Sequence, residues 1–151
     1  MSKLVYKYFN DDDFLLISEK IKDSEKRTSG EIRVSILEDK PLFPLKFDIR
    51  ELAIHQFKKL GMDKTRDRTG ILLLLVLKRK SFYILADEGI NSLVEQGTWD
   101  NIRDEIKNEF LIGHYAEGII KGLELITNVL EKYFPIKPDD VNELSNKVDI
   151  S

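Results

Sequence analysis

The apolar positions of this chain fall into runs and periods that predict an ordered series of elements. Residues 71–77, Ile-Leu-Leu-Leu-Leu-Val-Leu, are apolar without a break. A bilayer-spanning helix takes roughly 20 such residues, so this run is no membrane span. Bounded by Gly70 and by Lys78-Arg79-Lys80, it predicts a strand buried on both faces at the centre of a sheet. Residues 81–86 follow a three-residue cationic turn, which predicts an antiparallel hairpin.

Before that hairpin, Asn10 is a helix N-cap candidate, and Asp11, Asp12 and Asp13 place negative charge at a helix start. Phe14, Ile17 and Ile21 lie on one side of a helix reaching about Lys26 and stopping at Thr28-Ser29-Gly30. Residues 31–37 alternate strictly, with Ile32, Val34 and Ile36 on one face and Glu31, Arg33 and Ser35 on the other. That pattern predicts a strand. Pro41 and Pro44 make residues 38–46 an exposed loop. A helix begins near Asp48, buries Ile49, Leu52, Ala53, Phe57 and Leu60, and ends at Gly61.

Residues 62–69 are a charged connection into the central strand. After the hairpin, residues 90–96 form a short helical turn. Thr98 is the expected cap of a helix from Trp99 to Phe110, with Ile102 and Ile106 on its apolar side. Gly113 separates it from a last long helix over residues 115–133. Pro135 and Pro138 close the domain, so residues 1–135 read as one unit and 136–151 as a loosely attached polar tail. A sheet with helices packed on it satisfies all these faces, which makes an α/β or α+β layered domain.

Composition narrows the partners. The chain has 151 residues, the size of one domain, with 42% hydrophobic residues to build a core. A net charge of −3 argues against nucleic acid, which demands a concentrated basic surface. There are no cysteines, so disulfides, thiolate metal sites and cysteine nucleophiles are excluded. The N-terminal residues show no secretory apolar segment, and Asp11 follows at once. The expectation is a soluble, cytoplasmic protein without direct membrane insertion.

Familiar catalytic patterns are missing. No Gly-x-Gly-x-x-Gly, phosphate loop or Gly-x-Ser-x-Gly elbow occurs. His55 and His114 lie on different segments without metal-ligand spacing. The carboxylates remain. Glu31 starts one strand, Asp87 and Glu88 end another, and Asp67 lies in the loop entering the central strand. Strand ends and their loops line a common crevice in layered sheets, and oxygen-rich sites suit calcium or magnesium. Arg33, Arg66 and Arg68 are placed to hold a phosphate beside such a cation, or to pair with the acids.

The run Thr28-Ser29-Gly30-Glu31-Ile32-Arg33-Val34 resembles the first strand of the TPM domain. Gly70 to Leu75 with Ile84-Leu85-Ala86-Asp87-Glu88-Gly89-Ile90 is similar to its central hairpin. Trp99 to Phe110 and Gly113-His114-Tyr115-Ala116-Glu117-Gly118-Ile119 resemble its closing helices. The resemblance implies an α/β sandwich, with a mixed sheet between helices, and a strand-end crevice associated with divalent metal, often calcium. It also implies one of two further roles, acid phosphatase or accessory interaction module. The expectation is therefore a divalent-cation-binding domain, calcium first and magnesium second. Glu31, Asp67, Asp87 and Glu88 are the expected ligands, with Arg33 and Arg68 as anion-holding groups. The alternatives are a metal-assisted phosphatase acting on phosphomonoesters and a protein-interaction module without chemistry.

Overall fold

The protein is described by a computed structural model covering residues 3–136 and 148–150. Its elements are α1 (Lys3–Tyr8), α2 (Asp11–Arg27), β1 (Glu31–Leu37), α3 (Ile49–Lys59), a 3-10 turn (Met62–Lys64), β2 (Gly70–Val76), β3 (Ser81–Ala86), α4 (Glu88–Asn91), α5 (Gln96–Leu111), α6 (Tyr115–Tyr133) and β4 (Asp149–Ile150).

The four strands form one mixed sheet in the order β3-β2-β1-β4. β1 and β2 run parallel, with Glu31 opposite Gly70 and Leu37 opposite Val76. β2 and β3 form the expected antiparallel hairpin, with Ile71 opposite Ala86 and Val76 opposite Ser81. Every residue of β2 is buried, as a strand apolar on both faces requires. Ile71, Leu73 and Leu75 face a core shared with Ile17 and Ile21 of α2, Ile102 and Ile106 of α5, and Leu123 and Ile126 of α6. Leu72, Leu74 and Val76 face a second core with Leu52, Ala53 and Phe57 of α3. Each fully buried leucine contributes about 1.5–3 kcal/mol, so this one strand anchors both layers. The result is an α/β sandwich with helices on both faces of a mixed sheet, as the sequence pattern and the resemblance imply.

Several local expectations hold in detail. Asn10 accepts from the Asp13 amide at 2.8 Å, and Asp13 returns a bond to the Asn10 amide at 2.9 Å, closing a capping box. Asp48 caps α3 by accepting from the Glu51 amide at 3.1 Å, and Gly61, at φ 74°, lets the chain leave that helix.

Other elements differ. α1 is an added helix, too short to stand alone and held by the burial of Val5 and by the stacking of Phe9 on Phe14. α4 starts at Glu88, two residues before the expected turn, because Asp87 takes the N-cap position. α5 starts at Gln96 with Glu95 in the N-cap position, so Thr98 lies inside the helix and caps nothing. Gln96 Nε2 supports that first turn by donating to Asp100 Oδ1 at 3.0 Å.

Residues 149–150, expected in the tail, add a fourth strand parallel to β1. Asp149 Oδ2 accepts from Ser35 Oγ at 2.7 Å and from Gln56 Nε2 at 3.4 Å, giving the buried polar position on β1 a hydrogen-bonding partner. The rest of the expected tail that falls at residues 137–147 and 151 lies outside the described residues.

α2 and α6 are also joined through charge. Arg27 donates to Glu124 at 3.0 Å, to Asn128 at 2.7 Å and to Glu131 at 3.1 Å, and Lys20 also pairs with Glu124. The hydrogen bonds from Lys20, then Arg27, pull the Glu124 carboxyl below the usual glutamate range. A carboxyl that ionises more readily folded than unfolded stabilises the fold fully above its unfolded value. That contribution is lost as pH falls through the folded value. Glu124→Gln is therefore expected to lower stability at neutral pH by about 1 kcal/mol or less, as befits partly exposed pairs. The difference from the parent should shrink steadily on acidification in thermal melts; a gap that is unchanged at low pH would contradict this assignment.

Candidate functional site at the strand-start edge

The sheet topology gathers the expected site residues by backbone. β1 and β2 begin, and β3 ends, at the same edge, because Glu31 is opposite Gly70 and Ile71 opposite Ala86. The loop before β2 and the turn after β3 are stitched together there. The Asp87 amide donates to the Gly70 carbonyl at 2.9 Å, and the Gly89 amide to the Arg68 carbonyl at 3.0 Å. Arg68 is left-handed, at φ 56°, so its carbonyl turns toward α4.

Gly89 makes this contact sterically feasible. A Cβ there would stand 2.3 Å from the Asp67 carbonyl oxygen and 2.5 Å from that of Arg68. Both are backbone atoms and cannot rotate away.

Arg68 and Asp87 form a two-pronged pair, Nε to Oδ2 at 2.8 Å and Nη2 to Oδ1 at 3.0 Å. Asp87 Oδ1 also accepts from the Glu88 amide at 2.8 Å. The Asp87 carboxylate, first by hydrogen bond and then by charge, holds the Arg68 guanidinium protonated above the usual arginine value. Glu88 Oε1 lies 3.5 Å from Arg68 Nη1, and Asp67 Oδ2 lies 3.3 Å from Arg66 Nε; both carboxylates are exposed.

Glu31 has different company. Its carboxylate and that of Glu25 lie 3.5 Å and 3.6 Å from the buried Arg33 guanidinium. Arg33 Nη1 also donates to the Ile32 carbonyl at 2.5 Å. Burial pushes the Arg33 pKa down, while Glu31 and then Glu25 oppose it. The structure thus brings Asp67, Arg68, Asp87 and Glu88 together and sets Glu31 with Arg33 in a buried ion-pair group. Among the described residues, no three carboxylate or histidine side chains converge on a point that could hold a metal ion.

Two residues at this edge escaped sequence reasoning. Asp63 Oδ1 and Thr65 Oγ1 are buried and have no hydrogen-bond partner among the described residues. Both precede Asp67 at alternate positions, Asp63-x-Thr65-x-Asp67, and that spacing of oxygen side chains in a loop was the available signal. His55 is exposed on α3, and His114 Nδ1 lies 3.2 Å from Glu109 Oε2, so neither histidine belongs to this edge.

The profile of the TPM domain matches residues 6–129, well over half of the chain. The chain belongs to the TPM domain family. Among solved structures it is similar to the BA42 protein of the psychrophilic bacterium Bizionia argentinensis, at 34% identity and a TM-score of 0.88, over 100% of both chains. The N-terminal domain of a P. gingivalis protein shares the fold, with a TM-score of 0.69 and 18% identity over 84% of this chain and 79% of that one. So does the N-terminal domain of the cg2496 protein of Corynebacterium glutamicum, with a TM-score of 0.62 and 11% identity over 82% of this chain and 75% of that one. Comparison with curated proteins returned no match.

The TPM sheet edge depends on the close approach at Gly89, and this can be measured. Gly89→Ala should destabilise the domain by about 1–3 kcal/mol or more, the range for overpacking against groups that cannot yield. Gly97→Ala, on α5 with nothing within 4 Å of the added methyl, is the control. It should be neutral or stabilising by up to about 1 kcal/mol through helix propensity. Urea denaturation reads both, and equal midpoints for the two variants would refute the account.

Proposed function

We propose that this TPM domain is a binding module for a divalent cation, calcium foremost and magnesium as the alternative, at the loop that leads into β2. The observation that carries the reading is the pair of buried oxygens on Asp63 and Thr65 with no hydrogen-bond partner among the described residues. A buried polar group without a partner costs about 1–3 kcal/mol, and such groups are kept where a ligand completes them. Calcium takes carboxylate, carbonyl and water oxygens in flexible numbers, so it does not require three converging carboxylates. Asp67 and Glu88, exposed at the same edge, are the further carboxylates this reading names, with backbone carbonyls and water as the remaining ligands.

Asp87 has another role in this reading. Its carboxylate is engaged by Arg68 and the Glu88 amide, so it fixes the loop's shape. Glu31 is likewise engaged by Arg33. The phosphatase alternative needs an arginine free to meet a phosphate, whereas Arg68 is committed to Asp87 and Arg33 is buried. That favours binding over hydrolysis as the domain's activity.

Calorimetric titration of metal-stripped protein with calcium, and separately with magnesium, tests the reading. Saturable binding is expected, together with a stabilisation of about 2.7 kcal/mol at a hundredfold excess over Kd. Asp63→Asn should abolish both effects and leave the metal-free fold intact. Absence of heat and of any thermal shift with either ion would overturn it.

A further inference from the structure

β3 is an outer strand of the sheet, and nothing among the described residues pairs with its far edge. The opposite edge differs, since β4 pairs with β1 there. Folded proteins guard open strand edges with charged side chains, proline, bulges or short length, because free backbone groups template the addition of another strand. β3 has none of these guards. Its six residues, Ser-Phe-Tyr-Ile-Leu-Ala, are uncharged and pair with β2 in unbroken register.

That register fixes which groups are open. The Asp87 amide donates to the Gly70 carbonyl at 2.9 Å. Antiparallel pairs alternate from there, so Leu85, Tyr83 and Ser81 bond to β2, while the amides and carbonyls of Phe82, Ile84 and Ala86 face outward. A cavity of about 280 Å³ lies over this edge. Side chains from both faces of β3 line it, so the open edge of the strand is its floor. Arg50 of α3 stands on one wall, and Trp99 and Arg103 of α5 stand on the other.

Two polar groups in these walls lack an internal partner. Trp99 is 7% exposed, and its indole Nε1 is buried without a hydrogen bond among the described residues. Arg50 is exposed and has no carboxylate partner among the described residues. The acids nearby are engaged or turned elsewhere. Asp100 is held by Gln96 Nε2 at 3.0 Å and by Arg103 Nη2 at 2.9 Å. Asp48 and Glu51, close to Arg50 in sequence, line a separate cavity. No lining residue of the β3 cavity is acidic, so the selecting group is one guanidinium rather than a net field.

We propose that this groove binds an extended peptide of a partner protein, which adds to the sheet at β3 and sets an aspartate or glutamate against Arg50. Outward amides and carbonyls recur at every second residue of β3, the spacing that a peptide backbone matches. Side chains of the added strand alternate between the two walls. Those beside the acid therefore lean on Trp99, whose Nε1 is a donor for an oxygen there. A second copy of the chain meets an obstacle. Its own β3 is likewise a floor between α3 and α5, so the walls of two such grooves collide before the floors reach bonding distance.

A phage-displayed library of random linear peptides, panned against the intact chain with a chelator present so that no divalent cation contributes, supplies the probe. Enriched peptides are expected to carry an aspartate or glutamate flanked by β-branched residues. Their binding should slow hydrogen exchange of the Phe82, Ile84 and Ala86 amides roughly tenfold or more. Arg50→Gln, at an exposed position, should keep the melting temperature and weaken the peptide roughly tenfold. N-methylation of the peptide at one alternate set of residues should abolish binding and at the other set spare it, since only every second amide meets β3. No enrichment, enriched peptides that leave those three amides exchanging as before, or parental affinity in Arg50→Gln would overturn the proposal. So would protection of the same amides without peptide in a concentration-dependent dimer, since a second copy would then cover the edge.

Discussion

A strand with leucine or isoleucine on both faces cannot meet water on either side or along either edge. β2 is that strand, and its burial constrains most of what surrounds it. Its two faces call for helical layers on both sides, and its two edges call for neighbours. The hairpin turn supplies β3 on one edge at little entropic cost, because the strands are adjacent in the chain. The other edge is taken by β1, in parallel, and a parallel pair needs a long crossover. Residues 38–69 are that crossover, with α3 as the helix that covers the second face. The crossover also divides the molecule. Its outgoing loop carries the exposed Leu42, Phe43 and Leu45 at one end of the sheet, and its returning loop carries Asp63, Thr65 and Asp67 at the other.

Legibility in the sequence follows this hierarchy. Periodicity identifies elements whose apolar faces are wide, and it located β1, β2, α2, α3 and α6 because each buries a regular face, while β3, half-buried along its length, was legible as the return strand of a hairpin. Caps carried by side-chain chemistry were legible too, as at Asn10 and Asp48. α1 and β4 were not, because neither has a face of its own. α1 is held by burial of Val5 and Phe9, and β4 by pairing with β1 and by Asp149 meeting Ser35. The start of α5 was misplaced for a related reason. Thr98 is a better cap residue than Glu95, yet the chain path out of α4 begins the helix at Gln96.

At the candidate site, sequence reasoning found the right edge but not the pairing of its charges. Strand ends and loop order place Glu31, Asp67, Asp87 and Glu88 near one another along the backbone. Which carboxylate meets which arginine depends on side-chain direction. Arg68 reaches Asp87 because its left-handed backbone turns it there, and no period in the sequence announces a left-handed arginine. Arg33 was grouped with the polar face of β1, and it is nevertheless buried with Glu31 and Glu25.

These arginines bear directly on how a cation would enter. Asp87 is largely buried, and a buried carboxylate is retained only with a charged or hydrogen-bonding partner. Arg68 fills that need from within the chain, so the edge keeps its shape whether or not an ion is bound. A metal competing for Asp87 would have to displace a two-pronged guanidinium and leave it beside the incoming positive charge. A metal at Asp63 and Thr65 meets oxygens that have no such partner among the described residues. It would lie near Arg68 as well, since Asp63 adds to the field that holds Arg68 protonated. Binding there therefore works against one fixed positive charge. That opposition favours a modest affinity, and it favours ligand sets in which Asp67 and Glu88 contribute the compensating negative charge.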